Sequence, residues 1–338
     1  MPLSALLRSR TAHAVLGGVV SAALIVWLCV AIEWREVWRA LGEAHYIVFL
    51  PAGAVMVLHY LFRAWRWRYL LPAGAPPPRL LTLLDAIMVG SFATYILPLR
   101  AGEFIRPLLL TRHTSFSFSS AFVSVVIERF FDLAFVLLSF ALIVPLVPGL
   151  PAWSHQGALV LSLLAGAILL FMIAGSVAPG PLARLNRSVT ALFPPSFGRP
   201  LCRFADELLE GTRVIRHVRR LIMIVVLTTV VWLSCYLLFG IFLYLFDVPA
   251  TAVLSVTIAV IIALAVAAPS APGFIGVYQV ACIAAFSLFG LPDETAVAYS
   301  LVTHAFQYLI FVGWGVIYLT RHNLGLAELR RSARPPHS

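Results

Sequence analysis

The chain has 338 residues, 61% of them hydrophobic and 11% charged, with a mean hydropathy of +0.97. That balance excludes a water-soluble domain, which has neither so much apolar surface nor so little charge. The formal net charge is +10 and all 24 of its cations are arginines. These sit in short segments between apolar runs, where membrane orientation and anionic headgroups account for them and nucleic acid does not.

In hydrocarbon every backbone N–H and C=O must be satisfied inside a helix or a closed barrel. A barrel would show alternating segments of about 10 residues, whereas here the apolar runs approach the ~20 residues that span ~30 Å of hydrocarbon as helix. The sequence therefore predicts an all-α polytopic membrane protein.

The first span covers about 12–31, behind Arg8 and Arg10; its apolar core is too long for a cleaved signal peptide. A second span covers 45–62. The segment Arg63-Ala-Trp-Arg-Trp-Arg68 that follows reads as an interfacial anchor, with Trp65 and Trp67 at headgroup level and arginines reaching phosphates. The apolar stretch 80–112 is interrupted at Leu97-Pro98-Leu99-Arg100-Ala101-Gly102, and so predicts two short helices rather than one span. A third span covers 118–146 and a fourth 157–178.

Residues 179–220 are the one sizeable polar stretch. Within it, apolar and charged residues alternate from Leu201 to Val218 as in an amphipathic surface helix. A fifth span covers 221–246. A second interrupted stretch, 251–290, breaks at Pro269-Ser-Ala-Pro-Gly273, and a sixth span covers 296–319. The whole reads as one membrane domain, 1–320, with a short basic tail, 321–338, that carries Arg330-Arg331-Ser332-Ala333-Arg334.

Arginine placement orients these elements. If both interrupted stretches are re-entrant hairpins and both termini are cytoplasmic, eighteen arginines lie inside, Arg35 and Arg39 lie outside, and Arg100, Arg106, Arg112 and Arg129 belong to the first hairpin and the helix after it. Full crossings would instead put the arginine-rich 179–220 segment outside, against the positive-inside bias. The same arrangement pairs residues 12–146 with 157–319 as inverted repeats, each with a broken helix, which is a transporter pattern.

Ionisable groups at membrane depth cost roughly 2.5–3.5 kcal/mol on insertion scales and mark functional candidates. Two clusters qualify. In the first hairpin, Arg100, Glu103 and Arg106 share a face if helical, Gly102 permits close backbone approach, and the new helix offers unpaired N–H groups to an anion such as a lipid phosphate. In the third span Glu128 and Asp132 lie one turn apart, beside Arg129. Counted with Asp85, these are four acids facing Arg100, Arg106 and Arg129, a set equally readable as a structural salt-bridge network. The second hairpin carries no charge. There Pro272, Gly273 and Gly276 shape the turn, and Tyr278 and Gln279 either bond a ligand or pack between helices; His304 and Gln307 read as a satisfied core pair.

Taken together, Arg63-x-x-Arg-Trp67, Pro98-x-Arg-x-Gly-Glu-x-x-Arg106, Glu128-Arg-x-x-Asp132 and Pro272-Gly-x-x-Gly-Val277 resemble the lysylphosphatidylglycerol synthase transmembrane-region family. This is the flippase-like domain of aminoacyl-phosphatidylglycerol synthases, which also occurs alone. The resemblance implies movement of a lipid between leaflets of the bacterial inner membrane: a phospholipid, an aminoacylated phospholipid, or a hopanoid or polyprenyl lipid. Gln279 stands where the family often has Glu, and Phe274 where it often has a second Gly. About 18 residues follow the last span, so no synthase domain is expected after it and the chain is read as a non-enzyme. Membrane lipids, anionic or phosphate-bearing, are the expected partners, and a lipid-synthesis enzyme is a possible one.

The scattered Cys29, Cys202, Cys235 and Cys282 suggest no metal site, no cofactor is expected, and no P-loop points to ATP. The competing readings are an intramembrane headgroup transferase with Glu103 or Glu128 as general base, and a non-catalytic scaffold for a lipid-modifying enzyme.

Overall fold

The computed structural model describes residues 10–72, 76–97, 100–147, 152–267 and 270–322. Pro98, Leu99, Pro269, Arg8 and the predicted tail from 323 onward lie outside these. Among the described residues there are thirteen α-helices. They are α1 Arg10–Ala31, α2 Trp34–Glu43, α3 Phe49–Leu70, α4 Leu80–Ile96, α5 Gly102–His113, α6 Phe118–Ile143, α7 Ala152–Val177, α8 Pro179–Thr190, α9 Pro195–Gly211, α10 Val218–Leu243, α11 Ala252–Ala265, α12 Val277–Ser287 and α13 Asp293–Arg321.

Five helical segments are long and apolar enough to cross a bilayer, those built on α3, α6, α7, α10 and α13. The bent pair Gly18–Ala31 and Trp34–Glu43, which turns by 87°, makes a sixth if the two are counted as one span. The chain is thus a multi-pass α-helical membrane protein. The segment after the first span forms α2, with Val37 fully buried and Arg39 and Glu36 paired at 2.7 Å on its exposed side.

Both interrupted stretches are pairs of short helices. At 1.5 Å per residue the longest of them, α4, reaches only about 25 Å, short of ~30 Å of hydrocarbon. The chain doubles back between α4 and α5: Gly90 lies against Gly102 and Arg106, while Thr82, Asp85 and Ala86 line one small cavity with Leu109 and His113. α11 and α12 likewise pack on each other, joined through a turn at Pro272–Phe274. Ser117 and Thr251 mark the starts of α6 and α11 by accepting hydrogen bonds from Ser120 N and Leu254 N, each at 3.2 Å.

The Gly90–Gly102 crossing shows why Gly102 is required. A Cβ built there would sit 1.8 Å from the Gly90 carbonyl oxygen and 2.2 Å from Thr94 Oγ1. The clash is with backbone, which cannot rotate away. Gly102→Ala is expected to destabilise the protein by about 3 kcal/mol or more, the upper end of overpacking penalties. Thermal unfolding in detergent checks this; a melting temperature equal to wild type would contradict it.

The two halves place their elements alike. α4 packs on α13 as α11 packs on α6; α5 packs on α6 as α12 packs on α13; α3 meets α4 as α10 meets α11. Even the intervening polar helices correspond, α2 lying on α13 and α9 on α6. α3 and α10, the second long span of each half, form the most extensive interface among the described residues. The outer helices differ. α7 packs along α6, whereas α1 meets the second hairpin, with Ser21 Oγ accepting from Ala271 N at 3.0 Å.

Two boundaries differ from the sequence reading. The amphipathic helix expected over Leu201–Val218 begins earlier, as α9 at Pro195, and gives way to a 3-10 turn at Thr212–Arg216, while α8 precedes it across a break near Pro194. More consequentially, the second span does not end at 62. α3 runs on through Arg63-Ala-Trp-Arg-Trp67 to Leu70, and this carries Arg66 and Trp67 into the interior while Trp65 stays exposed.

Candidate functional site

α3, α5, α6 and α10 converge on one charged cluster. Glu128, one turn from Asp132 on α6, has no exposed surface. Arg106 of α5 grips it through both carboxylate oxygens, Nη1 to Oε1 at 3.1 Å and Nη2 to Oε2 at 2.7 Å. Arg66 of α3, also without exposed surface, places Nη2 3.0 Å from Glu128 Oε1 and grips Asp132 through Nη1 at 2.6 Å and Nη2 at 3.2 Å. Such planar two-point pairing is what guanidinium offers and an ammonium does not. Arg63 stands 3.6 Å from Glu128. From α10, Trp232 Nε1 donates to Asp132 Oδ1 at 3.2 Å, and Thr228 Oγ1 accepts from Arg66 at 3.3 Å. The Arg106 guanidinium rests 3.9 Å from the centre of the Trp67 ring, a cation–π contact.

This buried half is fixed by short, reciprocal bonds; beside it lies a looser half. Arg129 is 45% exposed and reaches Glu103 at 3.5 Å, Asp132 at 3.6 Å and Glu128 at 3.7 Å, while Glu103 is 33% exposed. Arg100 lies within electrostatic reach of Glu103 and Arg129. It makes no ion pair among the described residues, and its guanidinium sits 5.5 Å from the centre of the Phe274 ring, at the tip of the other hairpin. Arg100 and Phe274 both adopt left-handed backbone, with φ of 51° and 61°. That conformation is uncommon for residues with a side chain, and clusters at functional sites. Two strained residues from two hairpins thus touch each other.

The sequence reading needs three corrections here. Asp85 is not part of the cluster; it accepts from Trp314 Nε1 at 3.1 Å, in the small cavity near His113 and His322. Arg63 and Arg66, expected at the lipid surface, are part of it. Arg100 does not share the helical face of Glu103 and Arg106, since it precedes α5 in left-handed backbone. Five guanidiniums, at 63, 66, 100, 106 and 129, therefore face three carboxylates, at 103, 128 and 132. The cluster carries a formal surplus of two positive charges, where the sequence count gave a surplus of one negative. A signal for Arg66 was present in the chain: Met56, Tyr60, Ala64, Trp67 and Leu70, all buried, continue one helical face past residue 62.

The second hairpin meets α13 through uncharged groups. Gln279 Oε1 accepts from Gly276 N at 2.8 Å and caps α12, while its Nε2 lies 3.3 Å from His304 Nδ1. Tyr278 bonds Thr303 at 3.1 Å and Gln307 at 3.2 Å, and Tyr95 donates to Gln307 Oε1 at 3.0 Å. His304 and Gln307 are therefore not a mutual pair, and His304 Nε2 is buried with no hydrogen-bond partner among the described residues. Gly273 and Gly276 have φ of 70° and 86°. A Cβ at Gly273 would meet the Tyr308 hydroxyl at 1.6 Å, so Pro272-Gly273 forms a close-packed turn.

A model of the family described as lysylphosphatidylglycerol synthase TM region matches residues 14–315. The chain is also similar to the glycosyltransferase AglD of Haloferax volcanii, at 25% identity over 125 residues. That alignment covers 37% of this chain and 20% of that protein. No solved structure matches the chain.

Proposed function

The chain belongs to the lysylphosphatidylglycerol synthase TM-region family, and from that premise we propose that it moves a phosphate-bearing lipid between the leaflets of a bacterial inner membrane. The observation that carries this reading is the positive surplus of the charged cluster. A salt-bridge network serving packing alone would be best balanced; a surplus held on partly exposed side chains, Arg129 above all, suits an anion that comes and goes.

The two halves of the cluster take different parts. Arg66, Arg106, Glu128 and Asp132 form the fixed base. Arg100 and Arg129 hold the lipid phosphate, and Glu103 competes with it for Arg129, so that binding exchanges one ion pair for another. The acyl chains stay in the bilayer. Pro272, Gly273, Gly276 and Gln279 shape the opposing hairpin, whose tip closes on Arg100. The matched packing of the halves supports inverted repeats that rock about α3 and α10, and the arginine distribution supports cytoplasmic termini.

Purified protein reconstituted into vesicles with a headgroup-labelled phospholipid tests the reading. Label that starts in one leaflet is expected to reach the other faster than in protein-free vesicles. Rates equal to protein-free vesicles for every phosphate-bearing lipid tried would end the proposal. Recovery of a chemically altered lipid would point instead to a transferase.

A further inference from the structure

His304 is buried near the middle of α13, and its bonds determine where its proton sits. Gln279 reaches two ways from α12. Gly276 N is a donor, so the atom 2.8 Å from it is the amide oxygen, which leaves the amide nitrogen 3.3 Å from His304 Nδ1. An amide nitrogen only donates. Nδ1 therefore accepts, and the neutral ring carries its one proton on Nε2, the buried atom with no partner among the described residues.

The surroundings hold no countercharge. Tyr278 of α12 lies flat on the imidazole, 4.4 Å away between ring centres and tilted by 14°, and its face can carry an imidazolium. Tyr95 of α4 and Tyr308 of α13 meet the ring edge-on at 5.9 and 5.2 Å. Among the described residues no charged side chain acts on it, and the Gly273 carbonyl lies within its reach. Arg100 stands beyond, behind the Phe274 ring, which packs on Tyr95.

A proton added at Nδ1 turns the last acceptor into a donor. Gly276 N–H and Nδ1–H then compete for one amide oxygen, and whichever way the amide turns, one of them faces its nitrogen. A buried donor left unmet is costly, so the closed turn excludes the second proton and an open, hydrated one admits it. Proton uptake and opening are one linked equilibrium. The bond at stake caps α12 at Gly276, two residues after Phe274.

We propose that His304 is a proton-binding site: uptake at Nδ1 breaks the Gln279 link, frees the Pro272–Phe274 turn and lifts Phe274 from Arg100. Such a site goes beyond lipid translocation and does not depend on it. The closed turn belongs to the neutral ring, so it is favoured at high pH and lost as pH falls. With the ordinary histidine value of about 6.5 for the open, hydrated ring, one proton makes opening about tenfold more frequent at pH 5.5 than at pH 7.5.

Hydrogen–deuterium exchange of the purified full chain in detergent, read by mass spectrometry over residues 272–281, measures the opening. Rates at pH 7.5 and 5.5 are corrected for the pH dependence of chemical exchange, and opening is expected to rise about tenfold in acid. His304→Asn keeps an acceptor near the Nδ1 position but binds no proton, and is expected to open equally at both pH values. So is Gln279→Glu, whose carboxylate offers an oxygen to each donor and keeps the turn closed around a charged ring. Equal opening of wild type at both pH values overturns the proposal. An acid response that persists in either variant overturns it too, since the proton would then bind elsewhere. Should His304→Asn fail to elute as a single species, Gln279→Glu carries the comparison. Acid opening in a protein that moves no lipid would sink the translocation reading alone; lipid movement without acid opening would sink the proton site alone.

Discussion

Glu128→Gln is expected to lose the folded protein. The Glu128 carboxylate is fully buried and lies within 3.6 Å of Arg63, Arg66 and Arg106, with Arg129 at 3.7 Å. A neutral amide of the same shape leaves those guanidiniums facing one another with only Asp132, and Glu103 beside Arg129, among them. Breaking a buried pair by removing one partner costs about 3–5 kcal/mol, against a total stability on the order of 5–15 kcal/mol for a folded domain. Arg66 and Arg106 also bury Nε atoms that have no partner among the described residues, so no bond there offsets the loss. Thermal unfolding and size exclusion in detergent read the result. A monodisperse variant melting with wild type would show that Glu128 does not organise the cluster.

Arg129→Ala is expected to do the opposite, keeping the fold and losing the function. Its three ion pairs are long, at 3.5–3.7 Å, and its side chain is nearly half exposed, a setting in which an ion pair contributes about 1 kcal/mol or less. Yet it is one of the two arginines assigned to the lipid phosphate, and losing a charge-assisted contact of roughly 1.5–3 kcal/mol slows transfer by at least about tenfold. Leaflet sidedness of a labelled phospholipid measures the rate and thermal unfolding the stability. A rate within twofold of wild type, with unchanged stability, would remove Arg129 from the site. Arg129→Lys, which keeps the charge without the planar fork, is expected to fall between.

The contrast between these two residues was only partly legible in the sequence. The apolar runs and their Pro-Gly interruptions showed where helices lie and where two of them break, because bilayer thickness and proline chemistry act locally. The motifs around Arg100, Arg106, Glu128 and Asp132 were legible as expensive charges at membrane depth. Which charges pair was not, because pairing depends on helix rotation and packing between distant segments. Arg66 illustrates this: beside Trp65 and Trp67 it looked interfacial, and only the burial of the Tyr60–Ala64–Trp67 face turned it toward Asp132, sixty-six residues away. Asp85 failed in the other direction, being apolar in its neighbours yet held by Trp314 of α13. The contact of Arg100 with Phe274 joins two hairpins that no local pattern connects.

Everything assigned to Arg100 and Arg129 depends on the hairpins entering the bilayer and returning. Cysteines placed singly at the exposed positions Arg79, Ser115, Ala252 and Asp293, in a chain whose four native cysteines are replaced, report this through a membrane-impermeant thiol reagent. Residues 79 and 115 are expected to react from one face of the membrane, and 252 and 293 from the other. Reaction of 79 and 115 from opposite faces would mean that the first stretch crosses fully, and the account would fail.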